Sequence, residues 1–263
     1  MKVAKVLHDH LRKFGLTMHT GVGGAESKTK AMYFPGQSQE YSDGDVSDIN
    51  LGGNKTITFT EEMIYLGSVI TPSLRSDKDV GRRIMLARRA MGVLRPSFRR
   101  SDLALRVKGK MYVALVLSIL MYGSECWTMT AELMNELKTF HNSNVRSMCK
   151  VNMRNTQKHH ISSATLFKRL NIQPIDSYFH SRILRWAGHV SRMPLYRLPR
   201  KLLTCWSADS RLAHRSQMSW GLSLENILDK LGIPVEFCEW MKLAADRPKW
   251  RNLVTEVTGG AVG

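Results

Sequence analysis

The histidines are the side chains whose type and position in this sequence first suggest chemistry. His159 and His160 are adjacent, and His180 and His189 follow them along the chain. Neutral imidazole is a common metal ligand and general base, but none of the four falls into a His-Glu-x-x-His or zinc-finger spacing. We therefore expect His159 and His160 on a solvated face and His189 packed beside Trp186.

The cysteines indicate neither a metal site nor a disulfide framework. No two of them form a Cys-x-x-Cys pair, and they are Cys126, Cys149, Cys205 and Cys238. Widely separated thiols are typical of buried, reduced cysteines in an intracellular protein.

Carboxylates that could hold a metal ion are missing from the pattern as well. Asp43, Asp45 and Asp48 lie in the polar stretch 37–53, but a calcium loop also needs a central glycine and a closing glutamate, so we expect a solvated loop. Two-metal phosphoryl transfer needs paired aspartates on an apolar strand, and the sequence contains no such pair. We predict no catalytic residue, no metal ligand and no cofactor in this chain.

Positive charge is the strongest signal, and it is unevenly distributed. The formal net charge is +17. Residues 1–62 hold seven Lys/Arg and eight Asp/Glu, a sum of −1, so the other 32 basic and 14 acidic residues contribute +18. Clustered positive charge favours polyanions, of which nucleic acid is the commonest. We predict RNA, DNA or an RNA–DNA hybrid as the partner, with a merely solvating basic surface as the alternative.

A strongly periodic helix is predicted after the capping pair Ser76-Asp77. Its apolar stripe consists of Val80, Ile84, Ala87, Met91 and Leu94. Four arginines lie off this stripe, so we expect them to face solvent and contact phosphates. They are Arg82, Arg83, Arg88 and Arg89. Pro96 is expected to close the helix.

Further cations extend the positive surface. Between Lys138 and Lys201 thirteen Lys/Arg are opposed by one acid, Asp176, which is more than paired surface charges explain. The other candidates for nucleic-acid binding are Arg99, Arg100, Lys108, Lys110, Arg182, Arg185 and Arg192.

The remaining pattern predicts an α+β fold that is mostly α. The expected strands are residues 30–34, 55–59 and 63–70, the last two as a hairpin or as two sheet-edge strands. The expected helices are residues 1–14, 103–121, 131–150, 161–170, 177–193, 224–231 and 235–245. Residues 207–222 are typical of a linker, and Trp240 and Trp250 should pack between the last two helices.

No targeting or membrane segment is visible in the sequence. The first residues lead into polar sequence rather than a signal peptide, and the longest apolar run, Tyr112 to Tyr122, is too short to span a bilayer. We expect an intracellular protein, in the nucleus or the cytoplasm, that does not contact a membrane.

Five short blocks stand out along the chain. They are Phe14–His19 (FGLTMH), Ser27–Met32 (SKTKAM), Tyr65–Ser68 (YLGS), Tyr122–Trp127 (YGSECW) and Arg185–Met193 (RWAGHVSRM). In this order they resemble the reverse transcriptases of non-LTR (LINE-type) retrotransposons, from residue 14 to about residue 206. In that family the first two blocks close the palm, the third is the primer grip, the fourth lies in the thumb and the fifth lies beyond it.

The resemblance implies roles for several residues. Lys28 would lie near the incoming nucleotide, and Tyr65, Leu66 and Gly67 would hold the primer end. The basic helices would form a thumb that follows phosphates. The family's catalytic aspartates, which hold Mg²⁺ in the complete enzyme, are expected upstream in the missing palm and fingers. This chain would then bind the template–primer duplex without polymerising alone.

The resemblance also implies four segments and leaves other functions open. They are a β-rich palm remnant with the primer-grip hairpin at 1–74, a basic helical thumb-like domain at 75–155, a basic post-thumb region at 156–206, and a linker with a small helical segment at 207–263. One alternative is a non-enzymatic nucleic-acid-binding protein derived from a retroelement, with residues 150–206 as its binding module. Another is a structural or protein-interaction role in which the charge only solvates.

Overall fold

The computed structural model describes residues 2–22, 27–34, 48–52, 55–204 and 219–260. The chain forms two compact units, Met1–Asp79 and Val80–Gly263. The fold is α+β and mostly α, which confirms the prediction from the sequence. The four-segment division stays a prediction, and most of the expected loop at 37–53 and linker at 207–222 lies outside the described residues.

The larger sheet of the first unit is organised around one strand. Its strands are β1 (Gly21–Val22), β2 (Lys30–Ala31), β3 (Ile49–Gly52) and β4 (Lys55–Phe59). Strand β4 pairs antiparallel with β1 and β3 and parallel with β2. The strand expected at 30–34 therefore has two residues. Residues 49–52 form a strand where a loop was expected, because Leu51 is buried together with Ile57 of β4.

A helix and a separate hairpin complete this unit. Helix α1 (Lys2–Lys13) ends before Gly15, whose φ of 71° is left-handed. Strands β5 (Met63–Tyr65) and β6 (Ser68–Ile70) pair with each other. The hairpin thus lies within residues 63–70, and β4 belongs to the other sheet.

The second unit is helical in its described part. Its elements are α2 (Asp77–Arg99, which begins in the first unit), α3 (Leu105–Tyr112), a π-helical segment (Val113–Leu117), α4 (Ser118–Leu120), a 3-10 turn (Ser124–Cys126), α5 (Ala131–Met148), α6 (Met153–Lys158), α7 (Ser163–Leu170), α8 (Ile175–Ser191), α9 (Leu198–Thr204), α10 (Trp220–Lys230), α11 (Phe237–Ala245) and α12 (Arg247–Val257).

Several helices differ from the expectation: α9 was not predicted, and three other differences have identifiable reasons. Pro96 does not close α2, which continues for three residues because Phe98 is buried in the core. Helix α6 was missed because it has no apolar stripe; Asn152 caps it by accepting from the N–H of Asn155 at 2.7 Å. Helix α12 was also missed, although the cap Asp246 and Pro248 in the first turn are start signals.

One hydrophobic core runs through the second unit, with side chains from Val80 to Val254. Helix α8 packs against α5, α9, α10, α11 and α12, and ten of its seventeen residues are buried. Glycine permits close approach elsewhere in the core: a Cβ on Gly109 of α3 would lie 2.0 Å from the carbonyl oxygen of Leu170 in α7.

A buried hydrogen-bond chain crosses this core at His141 of α5. Its Nε2 lies 3.1 Å from the carbonyl oxygen of Gln173, and its Nδ1 lies 3.1 Å from the hydroxyl oxygen of Tyr112. Because a carbonyl only accepts, Nε2 carries the proton and Nδ1 accepts from the tyrosine hydroxyl. Burial lowers the pKa of His141 to about 4, and burial likewise lowers the pKa of His180 on α8 to about 4. Both imidazoles are therefore neutral at pH 7.

Acidification should destabilise the second unit. Both histidines have folded pKa values below the ordinary 6.5, so their stabilising contribution is complete above pH 6.5 and is lost as the pH falls toward 4. Between about pH 7.5 and about pH 5, each should lower the free energy of unfolding by about 2 kcal/mol. Urea unfolding followed by tryptophan fluorescence measures this, because all six tryptophans lie after residue 79.

The variant His141→Gln provides the control, because glutamine retains a donor and an acceptor but does not titrate in this range. Its loss of stability on acidification should be smaller than that of the unchanged chain by about 2 kcal/mol. The same loss in both proteins would contradict the role assigned to His141.

Candidate nucleic-acid interface

The primer-grip candidates form the tip of the β5–β6 hairpin. Tyr65 pairs with Ser68, and Leu66 and Gly67 between them have φ values of 48° and 88°, as a type I′ turn requires. Glycine adopts this backbone readily, whereas leucine is strained in it. The side chains of Tyr65 and Leu66 are 58% and 77% exposed, so the tip presents an aromatic and an aliphatic group to solvent.

Polar contacts attach this hairpin to the start of α2. Asp79 is buried, and its Oδ1 accepts from the N–H of Val69 at 2.9 Å. Lys78 Nζ donates to Glu62 Oε2 at 3.2 Å on the surface. The buried bond contributes more than the exposed ion pair, which is screened by water.

Lys28 lies in a turn where the first two sequence blocks meet. The hydroxyl of Ser27 donates to the carbonyl oxygen of His19 at 3.0 Å, and the N–H of Lys28 donates to His19 Nδ1 at 3.1 Å. The turn leaves the Lys28 side chain exposed just before β2. Its proximity to a nucleotide stays a prediction.

The expectation that all four predicted arginines of α2 face outward is wrong for Arg83. Its side chain is only 6% exposed, and its Cζ lies 4.3 Å from the centre of the Tyr122 ring, a cation–π geometry. Arg83 stands three residues after Val80 and four before Ala87, so it lies at the edge of the apolar stripe. Arg82 is half-buried, and Arg88 and Arg89 are exposed.

A further arginine of α2, Arg95, was not among the residues predicted from the sequence. It is exposed, as are Arg88 and Arg99. The three stand at positions i, i+7 and i+11, so they lie along one side of the helix. Among the described residues none of the three has an ion-pair partner. The sequence signal for Arg95 is its i+7 spacing from Arg88, which places the two side chains on the same side of a helix.

The cations after α2 differ in their availability. Lys108 was expected on the surface, but it is 2% exposed, and its Nζ donates to the carbonyl oxygen of Arg100 at 2.6 Å. Arg100 is exposed but pairs with Asp102, which raises the pKa of Arg100 and lowers that of Asp102. Lys110 is exposed. The lysine stem at 108 packs inward while its ammonium reaches a carbonyl.

The block at residues 122–127 is a turn that several helices contact. Gly123 takes a φ of 72°, and Trp127 is buried. The carbonyl oxygen of Glu125 accepts from Trp220 Nε1 of α10 at 2.8 Å, and its carboxylate lies 3.8 Å from Arg182 Nη1 of α8. Arg182 is therefore partly engaged within the protein.

The block at residues 185–193 is the surface of α8 on which α11 and α12 pack. Trp250 Nε1 donates to the carbonyl oxygen of Leu184 at 2.9 Å, directly beside Gly188. Arg192 Nη1 donates to the carbonyl oxygen of Ala244, at the end of α11, at 2.5 Å. The ring of Trp240 lies 6.2 Å from that of Trp250, so the two tryptophans pack together, but Trp250 lies on α12 against α8 and not between the two helices predicted at 224–231 and 235–245.

Arg185 lines an open cleft between α8 and α12 with two arginines that were not predicted, Arg247 and Arg251. They were missed because residues 247–257 were not recognised as a helix. Arg185 is half-buried, whereas the other two are exposed.

The histidine predictions agree with the structure. His159 and His160 are exposed, and the ring centroids of Trp186 and His189 lie 5.6 Å apart. Within the described ranges no group of three or more His, Cys, Asp or Glu side chains could hold a metal ion. No helix in the part of the chain that the structure describes has both the length and the hydropathy to cross a membrane.

The substitution Gly188→Ala should weaken the packing of α12. A Cβ at this position would lie 2.2 Å from Trp250 Nε1, and such overpacking should lower the free energy of unfolding by about 1–3 kcal/mol. The measurement is urea denaturation followed by tryptophan fluorescence.

Gly92→Ala is the matched control, because it is the same change inside a helix where a Cβ meets nothing within 4 Å. Alanine has the higher helix propensity, so this variant should be up to about 1 kcal/mol more stable. Similar effects of the two substitutions would refute the packing role of Gly188.

Comparisons with known proteins give one informative match. No protein-family model matches the chain, and no solved structure matches it. It is 26% identical over 202 residues to a protein of Caenorhabditis elegans described as transposon-derived and uncharacterized, and the match covers 75% of this chain and 71% of that protein. This likeness supports a transposon origin for the chain.

Proposed function

We propose that this chain binds the template–primer duplex of a non-LTR retrotransposon reverse transcriptase, as the primer-grip and thumb portion of that RNA-directed DNA polymerase. The ligand class is RNA–DNA hybrid, with duplex DNA or RNA as related ligands. The observation that carries the proposal is the row of exposed arginines on α2, Arg88, Arg95 and Arg99.

The dimensions of this row suit a nucleic-acid backbone. Eleven residues separate Arg88 from Arg99, which corresponds to about 16 Å along an α-helix. A strand with one phosphate per 3.4 Å places about five phosphates over that length. Gly92 lies between the arginines on the exposed side, and the lack of a side chain there permits close approach of the helix to a ligand. Contacts of this kind bind phosphates without reading sequence.

The hairpin tip supports the same function in the first unit. Tyr65 is exposed at the end of a strand, where its ring can stack on a base or a sugar. The family resemblance gives this tip the primer end as its ligand, and the relative's transposon origin agrees with a retroelement source. Mg²⁺ and the paired aspartates belong to the complete family enzyme, and we assign no chemical step to this chain.

Removal of arginines from the row should weaken duplex binding. Arg95→Gln/Arg99→Gln should lower the affinity for a labelled RNA–DNA hybrid of about 20 base pairs and reduce the slope of log K against log salt by about two, one for each lost phosphate contact. Fluorescence anisotropy between about 50 and 200 mM salt measures both quantities.

The control Lys230→Gln/Lys242→Gln removes the same charge from exposed positions on α10 and α11. It should leave the slope nearly unchanged. Equal salt slopes for the two double variants would show that the arginines of α2 contribute only through the net charge of the chain. A salt-independent affinity of the unchanged chain would overturn phosphate binding altogether.

A second candidate function is non-enzymatic nucleic-acid binding by a protein derived from a retroelement. The observation that favours it is that residues 80–263 have their own core and carry the exposed arginines. Such a protein would need no primer grip, so the two functions differ in their preference for a recessed primer end.

Tyr65→Ala distinguishes the two functions. If the hairpin holds a primer, the variant should lose about five-fold or more of any preference for a primer–template over a blunt duplex. Tyr196→Ala makes the same change at an exposed position of the second unit and should keep the preference. Competition anisotropy with the two duplexes is the measurement, and no preference in the unchanged chain would favour the second function.

A further inference from the structure

We propose that Arg185, Arg247 and Arg251 form a second site, a cleft that binds a phosphate of a nucleic-acid strand with its attached nucleotide. This inference rests on the proposed function and adds a contact on helices other than α2. The cleft is lined by Arg185 of α8 and by Arg247, Pro248, Arg251, Asn252 and Thr255 of α12.

The size of the cleft exceeds what a bare ion needs. Its volume is ≈520 Å³, within the range of about 300–1,000 Å³ of pockets that hold small organic ligands. A phosphate together with its sugar therefore fits.

The described residues that line the cleft carry positive charge only. Its lining contains three guanidinium groups and no carboxylate. Two carboxylates of neighbouring segments have other partners: Glu125 lies 3.8 Å from Arg182, and Asp246 lies 3.6 Å from Lys249.

The arginines of the cleft also repel their neighbours. Burial lowers the pKa of Arg185, and repulsion by Arg251 and Arg182 lowers it further. Burial lowers the pKa of Arg192 as well, and repulsion by Arg247 adds to the effect. Such like charges cost free energy in the empty cleft, and a bound anion relieves that cost.

The lining groups suit a phosphate. Guanidinium groups donate two parallel hydrogen bonds to a phosphate, and three of them can surround its oxygens. The amide of Asn252 adds a donor. The hydroxyl of Thr255 donates to the carbonyl oxygen of Arg251 at 2.8 Å, so it is left as an acceptor, which suits a sugar hydroxyl.

The two walls of the cleft are held in place by the packing of α12 on α8. Trp250 is buried, donates to the Leu184 carbonyl at 2.9 Å and lies against Gly188. Arg247 and Arg251 stand one turn apart on the same helix. Because these packing contacts are made by the protein's own residues, binding does not have to order the helices.

The test compares Arg247→Gln/Arg251→Gln with Lys230→Gln/Lys242→Gln, a pair of exposed lysines on α10 and α11 outside the lining. Both variants lose the same charge. Anisotropy with a labelled RNA–DNA hybrid should show about ten-fold weaker binding for the arginine variant and only a small change for the lysine variant. The salt slope of the arginine variant should fall by about one.

Unfolding by urea should be the same in both variants, because all four side chains are exposed, and the single variant Arg251→Gln should weaken binding in the same direction. Equal weakening by the arginine and lysine pairs would overturn the cleft while leaving the proposed function intact.

A second titration distinguishes failure of the cleft proposal from failure of the proposed function. Inorganic pyrophosphate should compete with the hybrid for the unchanged chain and compete less for the arginine variant. If the unchanged chain binds pyrophosphate but no nucleic acid, both the nucleic-acid ligand of the cleft and the proposed function are overturned.

Discussion

The burial of α8 is the constraint on which the second unit depends. This helix packs against five others, so its ten buried residues must offer either an apolar surface or room for a neighbouring side chain. Gly188 is the clearest case, because the Trp250 ring occupies the space that any side chain would fill. The position of α12, and with it the cleft between the two helices, follows from that contact.

Two of the five blocks that carry the family resemblance, residues 122–127 and 185–193, build this framework. Gly123 makes the turn that Trp220 and Arg182 contact, and Arg192 reaches the end of α11. The first block and the hairpin tip instead present side chains to solvent, among them Phe14, Leu16 and Tyr65. The part of the resemblance that lies in the second unit therefore indicates the arrangement of helices more directly than it indicates the ligand.

The positive charge divides into two kinds with different physical roles. Some cations are used inside the protein, as Arg83 over an aromatic ring and Lys108 on a carbonyl show. Others remain exposed in rows or clusters whose repulsion is unfavourable in the isolated protein. Only the exposed cations gain free energy when a polyanion binds. The arginines of the α2 row and of the cleft, on which both proposals rest, belong mainly to this kind.

Composition and periodicity by themselves determined the fold class, most helices and the excess of positive charge, because these are local or summed properties of the chain. The position of His189 beside Trp186 was also predictable, since a helix places residues three apart side by side. Exposure of each cation was decided only by tertiary structure. Arg83 and Arg88 look alike in sequence, but the first lies under a turn some forty residues away. Arg247 and Arg251 face Arg185 only because α12 folds back onto α8, a contact between segments that are distant in the chain.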